Sequence, residues 1–145
     1  MTTFEDQVAA TVATYDFFAM EKPVWIARAP GRLDVMGGNV DYTGGMVLQG
    51  LLREAVWVAL QPQADDTIRL LNPGAEQFGW ESSLEFSTAD LDDPASLRLL
   101  CNRRAGSSWA CYVLGALYFL KSHYGCGTGA DLFLASDIGQ FRQVH

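Results

Sequence analysis

The run WACYVLGALYFL, Trp109 to Leu120, is the feature that most limits how this chain folds. Twelve residues pass without a charge. A membrane-crossing helix needs about 20 apolar residues, so the run reads as a helix buried in a core. Ser107 or Ser108 is placed to cap its start near Trp109, and Gly125 to end it.

The remaining sequence supplies mostly strands. Phe4, Val8, Val12 and Tyr15 recur at helical spacing behind Thr2 and Glu5, a capping-box pair, which predicts a first helix over 3–19, broken by Pro23. VWIARA follows as a short strand, and Pro30-Gly31 is expected to turn the chain. RLDVMGG alternates weakly, setting Leu33 and Val35 against Asp34 and Met36. MVLQGLLREAVWVALQP reads as mostly extended, its EAVWVAL part being rich in β-branched and aromatic residues. TIRLLN and FGWESSLEFS read as two further strands joined through Pro73-Gly74. Residues 88–106 are polar and predict a surface connection with a short helix at ASLRLLC. GADLFLAS closes the order as a strand with Ala130, Leu132 and Leu134 on one side. Helix, strands, helix, strand is an α+β arrangement, not a βαβ succession.

Composition sets outer bounds. With 145 residues, 49% hydrophobic and 19% charged, the chain is expected to form one globular domain. A net charge of -7 argues against nucleic-acid and anionic-membrane surfaces. MTTFEDQVAA is acidic and has no apolar signal core, so the cytoplasm is the expected compartment. Cys101, Cys111 and Cys126 show no C-x-x-C spacing, so neither zinc nor a disulfide framework is expected, and Cys111 reads as core. GCGTGA fits a dinucleotide fingerprint on letters alone. It follows a helix and precedes a strand, the reverse of the required context, and so reads as a helix end and loop. No Walker-type phosphate loop and no G-x-S-x-G elbow occurs. His123 reads as a solvated helix end, His145 as a fraying terminus, and Arg103-Arg104 as a solvated loop.

Residues 29–45, APGRLDVMGGNVDYTGG, carry the chemistry. An Arg, two Asp, an Asn and five Gly fall within seventeen positions. Asp34 and Asp41 bracket Gly37-Gly38, so carboxylates and backbone are able to converge on one small polyol. Carboxylates accept hydrogen bonds from sugar hydroxyls. The guanidinium of Arg32 suits a phosphate or charge developing on a transferred phosphoryl group.

The stretch GRLDVMGGNVDYTGGMVLQ resembles the galactokinase signature of the GHMP kinases, G-R-x-N-x-I-G-E-H-x-D-Y-x-x-G-x-x-L-P. Gly31, Arg32, Gly37, Asp41, Tyr42, Gly45 and Leu48 fall on it without a gap, and ARAP fits the lead-in. The resemblance implies an ATP-dependent sugar kinase acting on the anomeric hydroxyl, with ATP and Mg2+ as cofactors and an α+β fold related to a ribosomal-protein fold. It implies Arg32 near the reacting hydroxyl as the catalytic residue, and Asp34, Gly38, Asn39, Asp41 and Tyr42 around the sugar, with no metal ligand among them.

The departures are specific. Asp34 stands where the pattern has Asn, Gly38 where it has Glu, Asn39 where it has His, and Gln49 where it has Pro. Losing the Glu-His pair is expected to relax selection for the hydroxyl on the sixth carbon. The variant GRLDVMGG is closer to L-arabinokinase-like members, and a pentose or altered sugar is the expected ligand. Residues 1–138 then correspond to a partial GHMP-kinase N-terminal domain, and 139–145 to a divergent tail. The family's second motif, P-x-x-x-G-L-S-S-S-A, is expected after SDI but is not found in these 145 residues. The partner is a small-molecule sugar, and the oligomeric state is not indicated. Phosphoryl transfer by this stretch alone is not expected, and an uncovered sheet face is expected to favour aggregation. The alternative is a non-catalytic sugar-binding or regulatory relative.

Overall fold

The computed structural model describes residues 3–15, 17–38, 40–103 and 108–137. Five strands form one sheet, β1 (Trp25–Met36), β2 (Leu48–Pro62), β3 (Thr67–Leu71), β4 (Ser83–Ser87) and β5 (Ala130–Ser136), in the spatial order β1-β2-β5-β3-β4. Among the described residues only the β3–β5 pair is parallel. Helix α1 (Phe4–Tyr15) packs on one face, and α2 (Pro94–Arg103) with α3 (Ser108–Tyr124) on the other. The α+β expectation holds.

β5 sits in the middle, and its alternation divides the core. Ala130, Leu132 and Leu134 join Ile68, Leu70, Leu84 and Phe86 under α3, whose Ala110 and Leu114 are buried there. The apolar run lays one face on the core but is not buried all round as expected, since Tyr112, Phe119 and Leu120 are exposed. Phe133 faces the other way and packs with Phe4, Val8, Phe17 and Phe18. That second face also holds polar residues. Asp131 is fully buried and accepts from Arg69 Nε at 2.7 Å and from Gln63 Nε2 at 2.6 Å. Gln61, also fully buried, accepts from the Ala19 amide and donates to the carbonyls of Ala19 and Lys22. It thereby ties the turn after α1 to β2.

Several expectations need correction. α1 ends at Tyr15, not at 19, because Phe17 and Phe18 turn inward to fill the core. Its cap is one residue later than expected: Thr3 N donates to Asp6 Oδ2 and Asp6 N to Thr3 Oγ1. Pro30-Gly31 does not turn the chain. β1 runs through it with a register shift between Pro30 and Arg32. β1 is an edge strand, where Pro breaks no ladder bond on its open side. FGWESSLEFS is a strand only over Ser83–Ser87, because residues 73–78 coil into a short helical turn that Gly79 ends at φ 71°. α2 is longer than ASLRLLC, since Asp93 caps Ala95 and Ser96 and Pro94 occupies the first turn.

Cys101 and Cys111 form a disulfide, against expectation. The packing of α2 on α3 brings their Cα atoms to 5.6 Å, a distance that a separation of ten positions does not announce. Cys126 is free and exposed. Gly125 ends α3 at φ 68°, its N–H donating to the Lys121 carbonyl, as read. His123 is exposed and stacks on Phe119 at 4.2 Å. Ser107, Arg104, His145 and the 139–145 tail lie outside the described residues. Among the described residues no helix is long and apolar enough to cross a membrane.

Candidate functional site

The glycine-rich stretch forms the far end of the β1–β2 hairpin and the loop that closes it. Arg32 pairs with Leu51, Leu33 with Gly50, Asp34 with Gln49, and Met36 with Leu48. Side chains alternate along a strand, so Arg32 and Asp34 share one face. Arg32 Nε lies 3.2 Å from Asp34 Oδ1. Gln49, directly across the ladder, donates from Nε2 to the same oxygen at 2.7 Å. Both side chains of the ion pair stay partly open to solvent, at 58% for Arg32 and 37% for Asp34.

The loop folds on one carbonyl. Val40 O accepts from the amides of Thr43 and Gly45 and from the Thr43 hydroxyl, while Val40 N donates to Gly37 O. Two glycines are required there. Gly37 has φ 84°, and a Cβ on it would lie 2.6 Å from Met46 O. A Cβ on Gly45 would lie 2.8 Å from Val40 Cγ2. Gly38 has a different neighbour. Its Cβ would sit 3.1 Å from both Cβ and Oδ2 of Asp34.

The predicted residues are thus partly assembled. Arg32, Asp34 and Gly38 are brought into one cluster. Tyr42 sits on the loop's outer side, 90% exposed. Asp41 opens a short helical turn over Asp41–Thr43, but its side chain, like the whole of Asn39, lies outside the described residues. Two contributors were not among the predicted site residues. Gln49 was legible only as a departure from the signature. Asp137 Oδ1 accepts from Ala55 N at 2.5 Å, and Ala55 pairs with Pro30, so the end of β5 anchors the base of the hairpin. Two cavities of about 410 and 400 Å³ lie elsewhere, one beside Arg69 and Glu85, the other between α1 and Trp57.

The loop's amides bear on which ligand fits. A phosphate cradle needs several free N–H groups aimed at one point. Those of Val40, Thr43 and Gly45 are spent on carbonyls of the loop itself. The described side chains of the cluster are a guanidinium, a carboxylate and an amide, a set that suits hydroxyls.

The element order and mixed sheet define a domain of the GHMP kinase fold. A protein-family profile, the galactokinase galactose-binding signature, matches residues 16–62. The L-arabinokinase of Arabidopsis thaliana is 33% identical over 74% of this chain and 13% of its own length. The galactokinase of Roseiflexus sp. is 28% identical over 80% of this chain and 26% of its own. Lactococcus lactis galactokinase, solved with galactose, superposes with a TM-score of 0.70 at 21% identity, covering 92% of this chain and 31% of that one. Methanococcus jannaschii mevalonate kinase superposes at 0.62 and 13% identity, covering 83% and 34%. The chain belongs to the galactokinase and L-arabinokinase-like group of the GHMP kinase superfamily. It spans 13–34% of the length of these relatives.

Proposed function

We propose that this chain is the sugar-holding part of an ATP-dependent sugar 1-kinase, taking galactose, L-arabinose or a close relative. The observation that carries this reading is the Arg32–Asp34–Gln49 cluster at the tip of a hairpin that matches the galactose-binding signature. Arg32 stands beside the reacting hydroxyl and is the catalytic residue of this half. Asp34, Asp41 and Asn39 accept from or donate to ring hydroxyls, and Gly38 and Tyr42 shape the space around them. Gly38 carries no side chain, which favours a pentose over a hexose with its exocyclic carbon. L-arabinose is therefore the preferred ligand.

The galactokinase relatives imply ATP with Mg2+ as the phosphoryl donor system. No Ser-rich phosphate motif to hold it occurs in these 145 residues. These 145 residues alone therefore bind sugar without transferring phosphate, a reaction that depends on positioning and charge stabilisation. No nucleic-acid or membrane partner is expected.

Isothermal titration with L-arabinose and D-galactose, paired with an ADP-release assay, tests the reading. Binding is expected for both, tighter for L-arabinose, with no sugar-dependent ADP. Tighter galactose binding would sink the pentose assignment, and sugar-dependent ADP release would sink the division of labour.

A further inference from the structure

Of the positions at which this chain departs from the galactokinase signature, Gln49 and Gly38 each meet a third, Asp34. Gly38 lies four positions from Asp34, whereas Gln49 lies fifteen away and reaches it only through strand register. In the fold, Gln49 donates to Asp34 Oδ1 at 2.7 Å, and a Cβ at position 38 would lie 3.1 Å from Asp34 Oδ2. We infer that Gln49 is a positioning residue for sugar selectivity, and that positions 34, 38 and 49 work as one exchange unit. This deepens the sugar-site reading and rests on it.

The geometry gives each member a task. Asp34 has two carboxylate oxygens. Oδ1 takes both fixed donors, Gln49 Nε2 and Arg32 Nε. That fixes the rotation of the carboxylate and sets Oδ2 over the Cα of Gly38, where a side chain would otherwise stand. A fixed oxygen selects hydroxyls more sharply than a rotating one, because no side-chain entropy is lost on binding. The signature's usual form places a carboxylate at position 38 and a neutral amide at position 34. Here the amide is replaced by an acid and the acid by glycine. One negative charge is thus moved along the hairpin, not removed. Two carboxylates at 34 and 38 together would repel at a partly desolvated site. Gln49 completes the exchange, since a proline there has no donor to offer.

The test is a set of variants of the full chain, titrated with L-arabinose and D-galactose, with thermal midpoints measured alongside. D34N is expected to weaken L-arabinose binding about tenfold, the loss of a charged acceptor. Q49A is expected to lower the L-arabinose over galactose preference severalfold, and Q49K, which restores a donor, to recover most of it. G38E is expected to abolish binding. D34N/G38E is expected to regain binding with the preference shifted towards galactose, which a merely structural role for these residues would not produce. If the wild-type chain binds neither sugar, the sugar-site reading falls and takes this inference with it. If the wild type binds while Q49A leaves the preference unchanged, or D34N/G38E binds no better than G38E, the inference alone is overturned.

Discussion

Replacing Asp131 by Asn should destabilise this domain more than almost any other isosteric change. The Asp131 side chain is 1% exposed and accepts from Arg69 Nε, Arg69 Nη2 and Gln63 Nε2. Arg69 Nη2 also donates to the Phe17 carbonyl, and the guanidinium lies over the Phe17 ring at 5.2 Å. One carboxylate therefore joins β5, β3, β2 and the segment after α1. Asn retains the volume but loses the charge, and turns one acceptor into a donor facing other donors. Breaking a buried ion pair from one side costs about 3–5 kcal/mol. Arg69 is 39% exposed, so water takes over part of its solvation and the cost falls to about 2–3 kcal/mol. For a domain of this size that lowers the thermal midpoint by about 5–10 °C. The bond to Asp131, foremost, raises the Arg69 pKa, with burial opposing it. That contribution to stability is present at neutral pH, where both partners are charged, and is lost as pH rises through the raised value. Thermal unfolding followed by circular dichroism checks the magnitude. The double variant R69M/D131L should recover at least half of the loss, because the unpaired charge, not the missing pair, carries the cost. A D131N midpoint within about 1 °C of wild type would refute the reasoning.

Four further outcomes follow from the same structure. G37A should lose about 1–3 kcal/mol and sugar binding together, since it forces a Cβ onto Met46 O at φ 84°; an unchanged midpoint would contradict the loop geometry. Reducing the Cys101–Cys111 disulfide, or replacing Cys101 by Ala, should cost about 3 kcal/mol by freeing a short loop of the unfolded chain, measured by urea unfolding with and without reductant. Asp6 and Asp93 have lowered pKa values, through the Thr3 backbone amide and the Ala95 and Ser96 amides respectively. Their stabilisation of α1 and α2 is complete above the ordinary value of 3.8 and is lost as pH falls through the lowered ones, so D6A and D93A should flatten the acid limb of the stability curve. Leu33, Val35, Met36, Leu48 and Leu51 are all more than half exposed beside the open edge of β1. The chain should therefore self-associate at micromolar concentration, and V35K/L51K should reduce this; a monodisperse wild type in light scattering would overturn it.

Much of this protein was determined locally. The apolar run became α3 because no charge interrupts it, and Gly125 ended it because glycine reaches positive φ without cost. The alternation Ala130, Leu132, Leu134 identified the side of β5 that faces α3. Arg32 was a legible candidate because it falls on a long, gapless signature, and Asp34 and Gly38 because they depart from it. Other features needed the folded chain. Pro30-Gly31 reads as a turn in any window of ten residues; only its place on an edge strand lets β1 run through it. Cys101 and Cys111 share no motif, and helix packing alone makes them partners. Asp131 sits in an apolar strand pattern, and its bond to Arg69 depends on a parallel pairing across 62 positions. Gln49 looked like a stray substitution until strand register set it opposite Asp34. Local sequence selects φ, ψ and the face a residue points to. Which residues then meet is decided by register and packing, which connect positions that the chain keeps far apart.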